Sequence, residues 1–328
     1  MKTFEWADAT TVEEAVALTV KGSSYKAAGM DLVDLMKERL AEPTRLVNIR
    51  NIKGLDQIES DDKGLKLGPL VTLTQLAESD VIRQNYTALS EAAGHAATPH
   101  VRNVATLGGN LLQRPRCWYF RSEQFPCRKK GGEICFAQAG ENQYHAIFDN
   151  KLCAIVHPSS AAVPLVAMNA TIDVTGPKGK REIELSKFFV LPSEDLHREN
   201  SLDEGEIITA VRIPKLAPNS SHYEKLGEKE SFDWPIAEVA VVLDMDGDKC
   251  RKASIVLGAA SPVPHRATKA EAALVGKAIN MESARAAGEA AVEGASPLAM
   301  NGYKVPLFKT MVGRTIIGCV GGAWGGKS

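Results

Sequence analysis

"VRNVATLGGNLL", residues 101–112, places Thr106 two residues ahead of the pair Gly108-Gly109 and follows the pair with Asn110. Glycines at such a point let the backbone approach a ligand closely, and the neighbouring hydroxyl adds a hydrogen-bonding group. A second loop of this kind lies upstream. "AAGMDL", residues 27–32, runs from a short strand into the helix-forming stretch "DLVDLMKERL". Free backbone N–H groups at a strand-to-helix turn favour an anion. Either loop could hold phosphate, although a short strand-to-helix turn with glycine is usually just a turn. No G-x-G-x-x-G pattern is present, so a Rossmann dinucleotide site is not supported.

The run after the first loop is of another kind. "CWYFRSEQFPCRKKGGEIC", residues 117–135, has no sustained period of 2 or 3.6 and carries three cysteines. With Cys153 it gives a set, Cys117, Cys127, Cys135 and Cys153, with nine, seven and seventeen intervening residues. Four of the six cysteines thus fall within 37 positions, too tight a grouping to be incidental. Zinc knuckles show short C-x₂₋₄-C pairs, which are missing here. Disulfides suit secreted chains. A [4Fe–4S] cluster takes four thiolates from uneven spacings. All three readings stand on spacing alone. Trp118, Tyr119, Phe120, Phe125 and Phe136 are available to wall off such a site. Arg114, Arg116, Arg121, Arg128, Lys129 and Lys130 outnumber Glu123 and Glu133 and would offset the negative charge of a cluster. Cys250 and Cys319 are read as incidental.

Outward from this centre the chain reads as α+β. Residues 1–55 suggest a small α/β unit opening with a capping box, Thr11-Val12-Glu13-Glu14. Residues 56–214 suggest a second unit, with a strand at 65–71, a helix from Thr74, a longer helix over 80–94 and the cysteine insert at about 113–153. "CAIVHPSSAAVPLVAMNATIDV" reads as a helix leading into a strand, and strand patterns continue to "IITAVRIP". The linker "KLAPNSS", residues 215–221, precedes a C-terminal α+β unit at 222–320. This unit holds a hairpin about an Asp-Gly turn and helices near 266–277, 281–293 and 305–317. The end, 321–328, reads as a flexible tail. Its "GGAWGGKS" matches a P-loop pattern, but no helix follows to present the lysine, so that reading is rejected.

Hydrophobic content of 44% and charged content of 24% over 328 residues describe an ordinary globular chain with room for two or three cores. The formal net charge of −1 gives no reason to expect nucleic acid or an anionic membrane. No run has the apolar length of a transmembrane helix, and the first residues lack a signal-peptide core, so cytoplasmic synthesis is expected.

Taken in order, "AAGMDLVDLMK", "VRNVATLGGNL", "HPSSAAVPLVAM" and "YEKLGEKESFDWPIAEVAVVL" resemble the FAD-binding subunits of the molybdenum hydroxylases, a family that includes xanthine dehydrogenase, carbon monoxide dehydrogenase and aldehyde oxidoreductases. The resemblance covers the chain to about residue 320, and Thr106 to Asn110 is its most specific element. It implies a two-part FAD-binding domain of the vanillyl-alcohol-oxidase/CO-dehydrogenase flavoprotein type, followed by a C-terminal α+β domain. The cysteine insert resembles the iron–sulfur loop of two branches, the 4-hydroxybenzoyl-CoA reductase medium subunit and the bacterial periplasmic aldehyde oxidoreductase, and its layout is more similar to the second. This implies a [4Fe–4S] cluster on Cys117, Cys127, Cys135 and Cys153.

The resemblance also implies roles. The loop Lys26, Ala27, Ala28, Gly29, Met30, Asp31, Leu32, Val33 would hold the FAD pyrophosphate, with N–H groups from Ala27 to Leu32. Thr106, Gly109 and Asn110 would form the opposite face. Ser160 would meet the ribityl hydroxyls, and Lys225 would bring a charge to the flavin ring. Two departures stand out. The family's Ala-Gly-Gly-Thr-Asp is Ala27-Ala28-Gly29-Met30-Asp31 here, and the acid of its "HPSD" is Ser160. No substrate-chemistry residue is expected in this chain; His95, His100 and His157 are read as hydrogen-bonding residues. The implied partners are a large molybdopterin-binding subunit, a small [2Fe–2S] subunit and an external electron acceptor. A signal-bearing partner would carry the complex to the periplasm. Two other readings are a zinc-stabilised scaffold without flavin and a free-standing flavoenzyme.

Overall fold

The computed structural model describes residues 1–218, 220–229 and 232–324. Three sheets organise it. The first is parallel, with β1 (Glu5–Asp8), β3 (Arg45–Asn48) and β2 (Ser23–Lys26) in that order. Helix α1 (Val12–Ala17) and helix α2 (Leu32–Lys37) form the crossovers that parallel strands require. The expected capping box at α1 is only half made. Thr11 accepts from the Glu14 N–H, but the Glu14 carboxylate turns to the backbone and hydroxyl of Thr10 instead of Thr11.

The second sheet is antiparallel. Its order is β4 (Ile58–Ser60), β5 (Gly64–Leu67), β8 (Ile207–Pro214), β6 (Thr171–Gly176) and β7 (Gly179–Glu184). Three helices, α3 (Leu73–Glu78), α4 (Asp80–Asn85) and α5 (Thr87–His95), pack beside it, with α9 (Ala162–Ala167). The single helix expected over 80–94 is two helices. Tyr86 leaves helical geometry (φ −136°, ψ 46°) and buries its ring in the core. The helix expected from Cys153 onward is confined to α9, because Pro158 biases His157 away from helical geometry and the Ser159 hydroxyl accepts from the Ala162 N–H at 3.1 Å.

The third sheet runs β12 (His265–Arg266), β11 (Lys249–Gly258), β10 (Ala237–Asp246), β9 (Ser221–Leu226). The period-2 alternation of β10 explains its place. Val239, Val241 and Leu243 face α10 (Thr268–Leu274), α11 (Met281–Ala291) and α12 (Lys304–Cys319), while Ala240 faces the core of the second sheet. A sheet apolar on both faces is thus the layer between the flavin-type half and the C-terminal helices. Of the expected tail, Trp324 is docked on α12 against Gly313, with Arg285 5.8 Å from its ring centroid. Residues 325–328, the rest of that tail, lie outside the described residues. Among the described residues no helix is long and apolar enough to cross a membrane.

His222 of β9 sits where the halves meet. Its Nδ1 lies 3.0 Å from Glu91 of α5, Glu224 is 3.9 Å away, and Gly318 of α12 leaves room for its ring. The hydrogen bond to Glu91 raises its pKa, against the opposing effect of burial. A raised histidine pKa stabilises the fold below the unfolded value of about 6.5, and the contribution is lost as pH climbs through the folded value. Glu91→Gln should therefore lower the thermal midpoint by about 2 °C at pH 6 and by less at pH 8.5, as scanning calorimetry would show.

Candidate cofactor sites

Among the described residues one hollow lies between the two glycine loops and another within the cysteine insert. The larger has a volume of about 820 Å³, within the range of small-molecule sites. Its floor is the loop between β2 and α2. Gly29 stands at φ +81°, and a Cβ there would meet Val33 Cγ2 at 3.1 Å and Lys26 Cε at 3.2 Å, so the turn requires glycine. Lys26, Ala27, Ala28, Met30, Asp31 and Leu32 line the hollow with it, whereas Val33 packs beneath Gly29 and does not.

The facing wall is the Thr-x-Gly-Gly-Asn stretch, which follows α6 (Pro99–Arg102) and opens helix α7 (Leu107–Leu111). Thr106 caps it by accepting from the Gly109 N–H at 3.2 Å. Gly108 lies against Pro69, where a Cβ would sit 3.0 Å from Pro69 Cβ and 3.1 Å from its carbonyl oxygen. Gly109 faces the hollow, meeting only Thr106 Oγ1. The Asn110 side-chain oxygen is committed to Ser159 Oγ at 2.6 Å, which ties this wall to the segment carrying Ser160.

Ser160 and Lys225 complete the lining, and each has a partner that sequence reasoning missed. Ser160 Oγ and the Tyr223 hydroxyl both donate to Oε1 of Glu238, a fully buried carboxylate. Burial raises the Glu238 pKa, and its Oε2 has no partner. Lys225 donates to the His95 carbonyl at 2.9 Å, and burial lowers its pKa. The alternation of "AEVAVVL" marks Glu238 as an inward position on a strand, the one signal that could have flagged it.

Arg114 and Arg116 also reach this hollow. The six basic residues were expected to gather round the cysteines; the structure divides them. Arg116 and Arg121 each lie 2.8 Å from Asp31 Oδ1, the Arg114 N–H donates to Asp31 Oδ2, and the Arg114 guanidinium pairs with Glu199 at 2.9 Å. Carboxylates of the first loop and of the 199 region have drawn them away. Arg116 stacks 4.5 Å from the Trp234 ring centroid and has a buried Nε without a partner. Lys130 donates to the Ser122 carbonyl, and Lys129, which with Arg128 lines the thiol hollow, is itself paired with Glu199 at 2.8 Å.

The smaller hollow, about 10 Å³, is lined by Cys117, Cys127, Cys135 and Cys153. Helix α8 (Trp118–Arg121) begins directly after Cys117. Neighbouring backbone amides favour the thiolate form of three of these cysteines: those of Phe120 and Tyr119 at Cys117, of Ala154, Ala137 and Gln138 at Cys135, and of Ile155 at Cys153. All six cysteines are free thiols, so the disulfide reading finds no support. Burial pushes Cys117 up to about 12 despite its amides. Cys135 is lowered to about 6 by the hydrogen bond from Cys153, whose own thiol is raised by the same bond. Tyr119, Phe120 and Phe136 form part of the wall, and Phe125 packs on Tyr119 and Phe136 behind it.

Among the described residues no three His, Cys, Asp or Glu side chains converge as one metal ion would need. A tetrahedral zinc, at about 2.3 Å from each sulfur, holds its thiolates within roughly 4 Å of one another. Four sulfurs set around a void match in kind the thiolate set of a polynuclear cluster, although a hollow with room for one water requires them to draw apart to seat it.

One member of this hollow was not anticipated. His145 Nε2 lies 3.2 Å from Cys117 Sγ, and burial lowers the ring's pKa to about 4. His157, expected to be a hydrogen-bonding residue, packs 4.4 Å from the Phe189 ring centroid, and burial takes it to about 3.

Residues 2–216 match the family model described as the FAD binding domain in molybdopterin dehydrogenase, and residues 221–318 match the CO dehydrogenase flavoprotein C-terminal domain. The aldehyde oxidoreductase FAD-binding subunit PaoB of Escherichia coli (strain K12) is 35% identical over 94% of this chain and 96% of its own length. Among solved structures, carbon monoxide dehydrogenase from Hydrogenophaga pseudoflava aligns at TM-score 0.73 and 26% identity, covering 98% of each chain. Quinoline 2-oxidoreductase from Pseudomonas putida 86 aligns at TM-score 0.76, with 23% identity over 98% of this chain and 99% of that one, a likeness of fold.

The ion pairs on Asp31 generate a direct test. Asp31→Asn leaves Arg116 and Arg121 facing each other across a poorly exposed site, and like charges there repel. A loss of about 1–3 kcal/mol in urea unfolding is expected, with Asp34→Asn costing much less because Asp34 is half exposed.

Proposed function

The chain belongs to the FAD-binding subunits of the molybdopterin dehydrogenases, the molybdenum-dependent oxidoreductases, and from that premise we propose that it is an electron-transfer subunit of an aldehyde oxidoreductase carrying both FAD and a [4Fe–4S] cluster. The observation that carries the flavin part is the 820 Å³ hollow, which both glycine loops line. The support for the cluster is the single void shared by four cysteines distant in sequence.

FAD, when bound, supplies the electron-accepting ring, and a cluster supplies one-electron carriage. The residues' parts follow from their chemistry. Backbone N–H groups from Ala27 to Leu32 suit the pyrophosphate, and Gly109 lets it approach the opposite wall. Arg116, facing the hollow with an unpartnered Nε, adds a cation to that site. Ser160, donating a hydrogen bond to Glu238, presents lone pairs that suit ligand hydroxyls. Lys225 carries a charge to the ring end, and Thr106 and Asn110 hold the wall itself. Cys117, Cys127, Cys135 and Cys153 are the thiolate set, with Arg128 and Lys129 the nearby cations.

In this reading aldehyde oxidation takes place on a large molybdopterin-binding subunit, and a small [2Fe–2S] subunit lies between the two. Electrons leave through this chain to an external acceptor. Export with a signal-bearing partner would place the complex in the periplasm. The domain division at 1–55, 56–214 and 222–320 is part of the same proposal, the first two forming one flavin site.

Anaerobic purification with a visible spectrum and iron, zinc and flavin assays tests this. Flavin bands with about four irons per chain are expected, and a colourless zinc-loaded chain would sink the proposal. Cys135→Ser should abolish the iron and spare the flavin, since the flavin loops lie outside the insert. Arg116→Ala should weaken FAD about 5–30-fold in fluorescence titration, the effect of losing one charge-assisted hydrogen bond worth about 1–2 kcal/mol.

A further inference from the structure

We propose that His145 is a positioning residue for the cysteine site: it donates a hydrogen bond from Nε2 to the Cys117 thiolate and so sets how readily a cluster held there accepts an electron. This rests on the four-cysteine reading above, and it concerns a residue that neither the cysteine spacing nor the flavin motifs single out.

The geometry has three parts. Nε2 of His145 and Sγ of Cys117 are 3.2 Å apart, a hydrogen-bonding distance for sulfur. The ring is 3% exposed and lines the same void as the four thiols, so water does not compete for the contact. Packing fixes its direction: Trp118 meets it edge-on at 5.4 Å and Tyr119 lies at 6.2 Å.

Its backbone is held from the other half of the molecule. The His145 carbonyl accepts from Asn301 Nδ2 at 3.0 Å and from Lys304 Nζ at 3.1 Å, Lys304 opening α12 and Asn301 lying just ahead of it. The His145 N–H donates to the Asn142 carbonyl at 3.0 Å, and Asn142 is itself tied to the Met300 N–H. The ring is therefore placed before any ligand arrives, the condition under which a hydrogen bond contributes most.

Tautomer chemistry gives the direction of the bond. His145 Nδ1 is buried and has no partner, so the Cys117 contact alone decides where the proton resides. A thiol would donate to Nε2 and strand the ring proton on Nδ1 without an acceptor. A metal-bound thiolate accepts only, so the proton must sit on Nε2, and the unpartnered atom becomes a lone pair. The second arrangement pairs a buried charge with a donor, the stronger kind of hydrogen bond. Donation to a ligating sulfur stabilises the more negative, reduced form and raises the potential. The alternative, a ring that only fills space beside Cys117, predicts no effect on potential.

The test compares wild type, His145→Gln and His145→Leu, purified anaerobically as the full complex. Iron and sulfide are assayed, flavin content serves as the folding control, and the cluster is titrated by EPR. Glutamine can extend a side-chain N–H to about the place of Nε2; leucine cannot. The expected result is full iron in all three and a lower cluster potential in the leucine variant. We expect about a tenfold change in the reduced-to-oxidised ratio at fixed poise, 59 mV for one electron. The glutamine variant should stay near wild type and the flavin potential unchanged. A leucine variant with full iron and the wild-type potential would overturn the proposal while leaving the cluster reading in place. If leucine loses iron, retention by glutamine supports the donor role and loss by both assigns the ring to packing alone. If the leucine variant also loses flavin, His145→Met takes its place in the comparison. Wild type without iron overturns the cluster reading itself, and this inference with it.

Discussion

The Asp31 carboxylate joins the two parts of the flavin-type half. One oxygen takes the Arg114 N–H; the other takes the guanidinium groups of Arg116 and Arg121 at 2.8 Å each. Asp31 belongs to the loop that floors the large hollow, and its partners belong to the segment leading into the cysteines. An irregular stretch such as 113–153 cannot bury its backbone polar groups through sheet or long helix, so side chains must anchor it. Three arginine contacts to one carboxylate supply that anchor at its entry, and Lys129 with Glu199 supplies another within it. The position of the thiols relative to the flavin loops follows from these charges more than from secondary structure.

The exit of the same stretch is fixed by amides. Asn142, Asn150 and Asn301 bond across to backbone groups of Ala137, Ala146, Ser296 and His145, and Ile147 and Phe148 donate to the Ala260 carbonyl. Lys304 closes the set, fully buried, donating to the carbonyls of His145 and Ala259, with burial lowering its pKa to about 7. A buried amine is costly unless its protons are satisfied, and two carbonyls with Glu238 in its field offset that cost. The C-terminal helices are thus part of the cysteine site: they hold the loop that carries His145.

Local chemistry explains what the sequence made legible. Gly29 needs a left-handed backbone, Thr106 needs to cap, and the alternation in β10 needs two apolar faces. These demands act within a few residues and leave a readable pattern. The six basic residues show the limit. Their count suggested a cationic shell for the thiols, but the carboxylates that claim Arg114, Arg116 and Arg121 come from residues 31 and 199, and distance along the chain hid them. His145 and Glu238 were hidden in the same way. A histidine eight residues before Cys153 and a glutamate in an apolar strand carry no motif; only the fold brings one to a sulfur and the other behind a serine. Helix limits failed for a third reason, since Tyr86 trades helical geometry for a buried ring.

Glu238 also changes the meaning of Ser160. The resemblance to "HPSD" sequences made Ser160 look like the loss of a carboxylate from the flavin wall. In the structure the Glu238 carboxyl group stands one hydrogen bond behind it, fully buried and accepting from the hydroxyls of Ser160 and Tyr223. Oε1 of Glu238 accepts from both hydroxyls, which fixes the direction of the Ser160 hydroxyl and turns its lone pairs to the hollow. Lys225 lies opposite Glu238 on the neighbouring strand, and the fields of Lys225 and Lys304 favour the charged form against the effect of burial. The acceptor character of the wall is therefore kept, while the carboxyl group sits one layer deeper. There the third sheet, and not the exposed loop, determines it.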